Sequence, residues 1–449
     1  MTQQKWIWWS RVAPSQRLKQ EFSHHPRSRY TSRFQRVWKS LTGLLLLLTT
    51  IASCQGSQPS TALKIGTLLP ITGDLAQYGS SMENSARLLV DTVNQCGGVL
   101  GQPVTLIAAD DHTEPSMGVA AITKLIEVDR VAGVVGAASS AVSSAAVDIA
   151  VRNQTILISP ASTSPVFSDR ARKGEFQGFW FRTAPPDTFQ GQALAKLAIA
   201  QGFKSVAILA INNDYGNGLL NSFIPAFTTM GGRVTNQANP LRYPADASSF
   251  DSEVKAVFSQ NPDAVLLIAY PETGSLILKT AYEQGLLGKT TQIIATDGMK
   301  ESDIATVIGK NVNGDYIATG MIGTAASAGG QGLTNFQQRF LTKYGQAPKI
   351  YDANTWDATA LLVLAAEAAK TPTGEAMKPF IRDVANPSGQ DVTDVCQALA
   401  LVRAGQPINY QGASGSVDLN HDGDVTGSYD IWTIAADGKL KVIGTITVD

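Results

Sequence analysis

Residues 63–70 read LKIGTLLP, apolar positions then recur at Met82, Ala86, Leu89, Val90 and Val93, Gly97-Gly98 follows, and 104–109 reads VTLIAA. The first run is β-branched and apolar without strict alternation, as in a strand covered on both faces. The second has the 3.6-residue period of a helix, and the glycine pair stops it. A strand, a helix and a second strand within about fifty residues form a βαβ unit, which demands a parallel sheet with its helix on one face.

The same unit recurs along the chain. Short runs at 131–135, 155–158, 205–211, 264–269 and 292–295 are separated by helical patterns every 25 to 30 residues or more. The fold class is therefore α/β, with doubly wound parallel sheets. At 449 residues, with 44% apolar and 16% charged side chains, the chain has material for two lobes. Open sheets of this kind bind ligands beyond the carboxyl ends of their strands. The candidate segments are thus 70–79, 136–140, 160–164, 212–218, 270–274 and 297–298.

The first 54 residues carry nine Lys and Arg against one acid, Glu21, a net +8; the total is −1, so the remainder is −9. Phosphate attraction needs clustered cations, so an acidic body argues against nucleic-acid partners. Residues 41–53 read LTGLLLLLTTIAS, too short to span a bilayer comfortably but suited to a secretory signal core. Ile51-Ala52-Ser53-Cys54 resembles a bacterial lipobox, which implies cleavage before Cys54 and lipid attachment to its thiol. The basic, aromatic stretch upstream is long for a signal, and a start at Val37 would leave a compact VWKS lead-in. Residues 1–54 are read as leader and lipoprotein signal peptide, and the polar 55–61 as a tether.

Catalytic chemistry finds little material. Outside the leader only His112 and His421 remain, and neither a Gly-x-Ser-x-Gly elbow nor a His-Glu-x-x-His pair occurs. Gly288-Lys289-Thr290 imitates the end of a phosphate loop, but Glu283 stands where the first glycine belongs. Asp418, Asn420, Asp422 and Gly423 copy the front of a calcium loop, yet Tyr429 occupies the position of the bidentate Glu; a turn is the better reading. No metal and no cofactor is called for. Cys96 and Cys396 can form a disulfide in an oxidising compartment or stay buried thiols, and sequence leaves both open.

The strand-end segments, in order, resemble the branched-chain amino acid (Leu/Ile/Val) binding proteins of ABC importers, which have the type I periplasmic binding fold. The residues that carry the resemblance are Ile65 to Gly73, Tyr78-Gly79, Asn94 with Gly97-Gly98, Val135-Gly136 with Ser139-Ser140, and Ile158 to Ala161 with Thr163. They continue through Phe181-Arg182-Thr183, Gln190-Gly191, Asp214-Tyr215-Gly216 and Thr296-Asp297-Gly298. The resemblance implies a ligand carboxylate held by Ser140, Ala161 and Thr163, with Ser139 also in the ligand site, and a ligand ammonium held by Asp297, with Tyr78, Tyr215 and Tyr270 lining the cleft. It implies lobe I at 62–183 plus 318–427, lobe II at 184–317 plus 428–449, and a three-segment hinge with crossovers near Thr183, Ala318 and Ser428. Its partners would be a small amino acid, an ABC permease and separate ATPase subunits, outside the cytoplasm and tied to the membrane by a lipid anchor.

Two departures stand out: Ala137-Ala138 carries no bulky side chain, and Trp356-Asp357 replaces the commoner Tyr-Asp. Other classes remain in view, namely a ligand-sensing receptor module and a binder of urea, amides or aromatic acids; an enzyme has the least support. If translation starts at Val37, mass spectrometry of cell extracts will find no peptide from residues 1–36. Detecting one rejects that start.

Overall fold

Most apolar runs that lack alternation become parallel strands buried on both faces, while the run at 104–109 becomes a partly exposed edge strand. The computed structural model describes residues 62–287 and 291–448. The leader, Cys54, the tether and Gly288-Lys289-Thr290 lie outside them.

Strands β1 (Lys64–Leu69), β2 (Thr105–Asp110), β3 (Gly133–Gly136), β4 (Ile156–Ser159) and β5 (Trp180–Arg182) form one parallel sheet in the order β2-β1-β3-β4-β5. β3 and β4 are buried at every residue, which is why they read as continuous apolar runs. The order reverses between β1 and β3, so a crevice opens beyond their carboxyl ends. The segments entering it are the turn after Leu69 and the start of the helix Ser140–Arg152.

The second sheet contains β6 (Ser205–Ile211), β7 (Arg233–Val234), β8 (Leu241–Tyr243), β9 (Ala264–Ile268), β10 (Gln292–Ala295) and β11 (Ile322–Ala326). A small parallel pair follows, β12 (Gln390–Val392) with β13 (Ile408–Tyr410), and then β14 (Tyr429–Ile434) and β15 (Leu440–Ile446) complete the second sheet. Its order is β15-β14-β11-β10-β9-β6-β7, with β8 also on β6. The carboxyl ends of β6, β9 and β10 deliver Tyr215, Tyr270 and Asp297 to the space opposite the first sheet. One edge is not parallel: β14 pairs antiparallel with β11 and with β15.

The chain crosses between the sheets after Arg182, after Ala326 and before Tyr429. The middle crossover was expected near Ala318, and the structure moves it beyond β11, so 318–326 belongs with the second sheet. The physical reason is the composition of β11, IGTAA, which carries no apolar signature. A Cβ at Gly323 would sit 2.5 Å from the Ala295 carbonyl oxygen and 2.6 Å from the Trp432 ring. The strand stays small because Trp432, fully buried, packs against it. Gly136 is constrained for a different reason: its φ is +140°, and a Cβ there would lie 2.1 Å from the Leu68 carbonyl oxygen.

Cys96 and Cys396 are bonded to each other, with Cα atoms 5.9 Å apart, and join the end of the helix Ala76–Gln95 to the helix Val395–Arg403 across 300 residues of sequence. Closing so long a loop restricts the unfolded chain. Replacing both cysteines by serine is expected to cost about 2–4 kcal/mol, read as a lower denaturation midpoint. An unchanged midpoint would mean that the bond adds no stability.

Candidate functional site

Between the two sheets lies a small cavity of about 30 Å³. Tyr78, Ser140 and Ala161 enter it from one side, and Tyr215, Tyr270 and Asp297 from the other. Leu75, Met82, Ala138, Gly298 and Tyr351 complete the lining. Six residues singled out from sequence therefore meet in one place.

The polar groups on the first-sheet side are arranged by two turns. Ser140 begins the helix Ser140–Arg152, and its Oγ accepts the Ser164 N–H at 3.2 Å, which leaves its own proton to donate. Ser159 Oγ accepts the amides of Ala161 at 3.3 Å and Ser162 at 2.9 Å, so the Ala161 N–H is partly occupied. Thr163 is 2% exposed and its Oγ1 has no partner. Ser139, also expected here, turns its hydroxyl toward the Tyr270 OH at 3.4 Å and bridges the two sides. Ser139 and Thr163, expected at the ligand, do not line the cavity; Ser140, Ala161 and a helix N-terminus do, and such donors suit a carboxylate.

On the opposite side, Asp297 follows β10 and is buried. Its Oδ1 accepts the Tyr215 OH at 2.8 Å and its Oδ2 the Tyr351 OH at 2.6 Å. Tyr215 also meets Thr296 Oγ1 at 2.7 Å and stacks on Tyr270, the ring centroids 5.5 Å apart. Tyr78 OH reaches across to the Gly298 carbonyl at 3.2 Å, so both sides touch. Leu75, Tyr78, Met82 and Ala138 are continuous with the apolar core of the second sheet. The cleft is closed in this conformation.

Sequence reasoning missed Asp187 and Tyr351. Asp187 starts the helix Asp187–Ala200, is fully buried, and neither carboxylate oxygen has a hydrogen-bond partner. Thr163 Oγ1 lies close enough to lower its pKa without meeting hydrogen-bond geometry. Burial and then the charge of Asp297 push the Asp187 carboxyl well above the usual range; burial also raises Asp297, against the hydrogen bonds from Tyr351 and Tyr215. The signal available in sequence was Pro185-Pro186-Asp187, one residue beyond Arg182-Thr183, which reads as an ordinary acidic helix start. Tyr351 offered none, because a left-handed φ of 67° before the helix Asp352–Ala369 is not encoded in periodicity.

Two other sequence features take structural roles. Trp356 Nε1 donates to Tyr410 OH at 3.1 Å, and Asp357 caps the amides of Ala413 and Ser414 at 2.7 Å each, both away from the cavity. The calcium-like loop is a turn: Asn420 Oδ1 accepts the amides of Asp422 and Asp424, while Asp422 pairs with Arg172 at 2.9 Å and Asp424 with Arg182 at 2.6 Å.

The sequence matches the family described as Receptor family ligand binding region over residues 81–437. It is 30% identical over 259 residues to the Leu/Ile/Val-binding protein BraC3 of Rhizobium johnstonii, covering 57% of this chain and 67% of that protein. It is 25% identical over 363 residues to the chemotactic signal transduction system substrate-binding protein BasB of Halobacterium salinarum, covering 79% and 83%. The fold matches the leucine binding protein LivK of Thermotoga maritima with a TM-score of 0.72 at 25% identity, over 86% of this chain and 99% of that one. A Rhodopseudomonas palustris solute binding protein in complex with benzoate matches at 0.68 and 19% identity, over 86% and 98%, a likeness of fold.

An acid whose folded pKa is raised binds protons that the unfolded chain has released, so its contribution to stability falls as pH rises above the ordinary carboxylate pKa. Asp187→Asn removes one of two facing charges. The ligand-free variant is expected to be about 1 kcal/mol or more stabler than the parent at pH 8, with the gap closing toward pH 4. A gap independent of pH in thermal melts would contradict the facing-charge reading.

Proposed function

We propose, from the premise that this chain belongs to the receptor ligand-binding-region family, that it is the extracytoplasmic substrate-binding subunit of an importer and takes an amino acid. The observation that carries this is the buried carboxylate of Asp297, which lines one cavity with Ser140 and Ala161 and has a second buried acid, Asp187, near enough to feel its charge. Two acids forced together need a cation, and a ligand ammonium would serve; the opposite wall would take its carboxylate. Leu75, Tyr78, Met82 and Ala138 would receive a modest apolar side chain.

Closure would bury the ligand between lobes that pivot on three crossovers, and the closed form would dock on a permease served by separate ATPase chains. Cys54 would carry the lipid that keeps the protein at the membrane. Micromolar binding requires about −8 kcal/mol, within reach of two charged clamps and one apolar contact. A sensory role has one specific support, the similarity to the chemotactic substrate-binding protein BasB. That role would use the same cleft and a different docking partner.

A thermal-shift screen of the mature domain with the common amino acids, urea, short amides and benzoate is expected to select an amino acid, since a ligand of the native state raises Tm. Asp297→Ala should weaken that ligand by about 2–3 kcal/mol, roughly 30- to 150-fold, with the fold intact. Tight benzoate binding that Asp297→Ala leaves unchanged would replace the amino-acid reading with an aromatic-acid one.

A further inference from the structure

Behind the Ala161–Ser164 turn, on the side away from the cavity, sits a fully buried guanidinium. Arg182, the last residue of β5, donates from Nη1 to the carbonyls of Ser162 at 3.1 Å and Ser164 at 2.9 Å. Its Nη2 donates to Ser168 Oγ at 2.8 Å, and its Nε to Asp424 Oδ1 at 2.6 Å. Ser168 closes the ring by donating to Asp424 Oδ2 at 2.6 Å. Asp424 is held in turn by Asn420 Oδ1, which accepts its amide at 3.0 Å.

The consequence for the turn follows from peptide geometry. The two carbonyls gripped by Nη1 flank Thr163, and the Thr163 carbonyl accepts the Asp187 N–H at 2.8 Å. Three successive carbonyl oxygens are thus occupied, which fixes the peptide planes of the turn. With Ser164 N–H held by Ser140 Oγ, the Thr163 side chain and the Ser140 hydroxyl are locked in register with each other. Five fixed N–H donors in a plane can do this; a lysine ammonium, a point donor on a flexible stem, cannot hold two carbonyls and a carboxylate at once.

We propose that Arg182, locked by Asp424, is a positioning residue that sets the geometry of the anion-accepting turn at Ala161–Thr163. The pair comes from distant sequence, the end of β5 and the loop before β14, so two of the three crossovers are tied to the same guanidinium. Its charge also reaches the cleft, where it lowers the Asp187 pKa against the larger effect of burial. The assignment of the turn to a carboxylate rests on the proposed function; the mechanical claim about the turn does not.

Removing a buried charge outright threatens the fold, so the test uses Arg182→Lys, which retains it. The first readout needs no ligand. Hydrogen exchange of the ligand-free protein should speed up in peptides covering 160–168 while β1, β3 and β9 stay protected; unchanged exchange at 160–168 in a folded variant overturns the proposal. The second is calorimetry with L-leucine and leucinamide, well below Tm. Leucine should bind about tenfold weaker to the variant, the size of one charge-assisted contact, with leucinamide less affected. Equal weakening of both, or a lower Tm with leucine affinity unchanged, would mean that Arg182 is only structural. If the parent itself binds neither compound, leucine is not its ligand, and the exchange result alone decides the role of Arg182.

Discussion

Two carboxylates that cannot both be charged without help set the terms for this molecule. Asp187 and Asp297 are both buried; burial raises the proton affinity of each, and the charge of Asp297 raises that of Asp187 further. Tyr215 and Tyr351 hold Asp297 in one orientation, but the Asp187 carboxylate oxygens have no hydrogen-bond partner. A site with an unanswered negative charge is costly to close when empty. It becomes favourable when a cationic group enters, which couples ligand charge to lobe closure.

The remainder of the architecture serves to bring that pair in front of a complementary wall. Parallel sheets aim their strand ends at one crevice, and the strand-order reversal at β1 and β3 leaves room for it. The second sheet meets it with the ends of β6, β9 and β10. Arg182 and Asp424 stiffen the wall from behind, and the Cys96–Cys396 bond ties remote segments of the same lobe.

Much of the fold was legible because buried parallel strands and amphipathic helices leave strong periodic signals. Ser205–Ile211 and Gln292–Ala295 begin and end where the apolar runs do. β11 was not legible, since its small residues answer to Trp432 from a hundred residues away. The antiparallel edge was hidden for a related reason: β14 is only partly buried, β15 is largely exposed, and both carry mixed side chains. In the cavity, residues directly after strands were recoverable, among them Ser140, Tyr215, Tyr270 and Asp297. Asp187 and Tyr351 were not, because one looks like any acidic helix start and the other owes its position to a single left-handed residue.

The most direct measurement is a crystal structure of the mature domain with the amino acid that most raises its melting temperature. The account predicts the ligand nitrogen within hydrogen-bond reach of both Asp187 and Asp297, and its carboxylate against Ser140 and Thr163. A ligand bound in the reverse sense, or one that leaves Asp187 without a cationic partner, would contradict it.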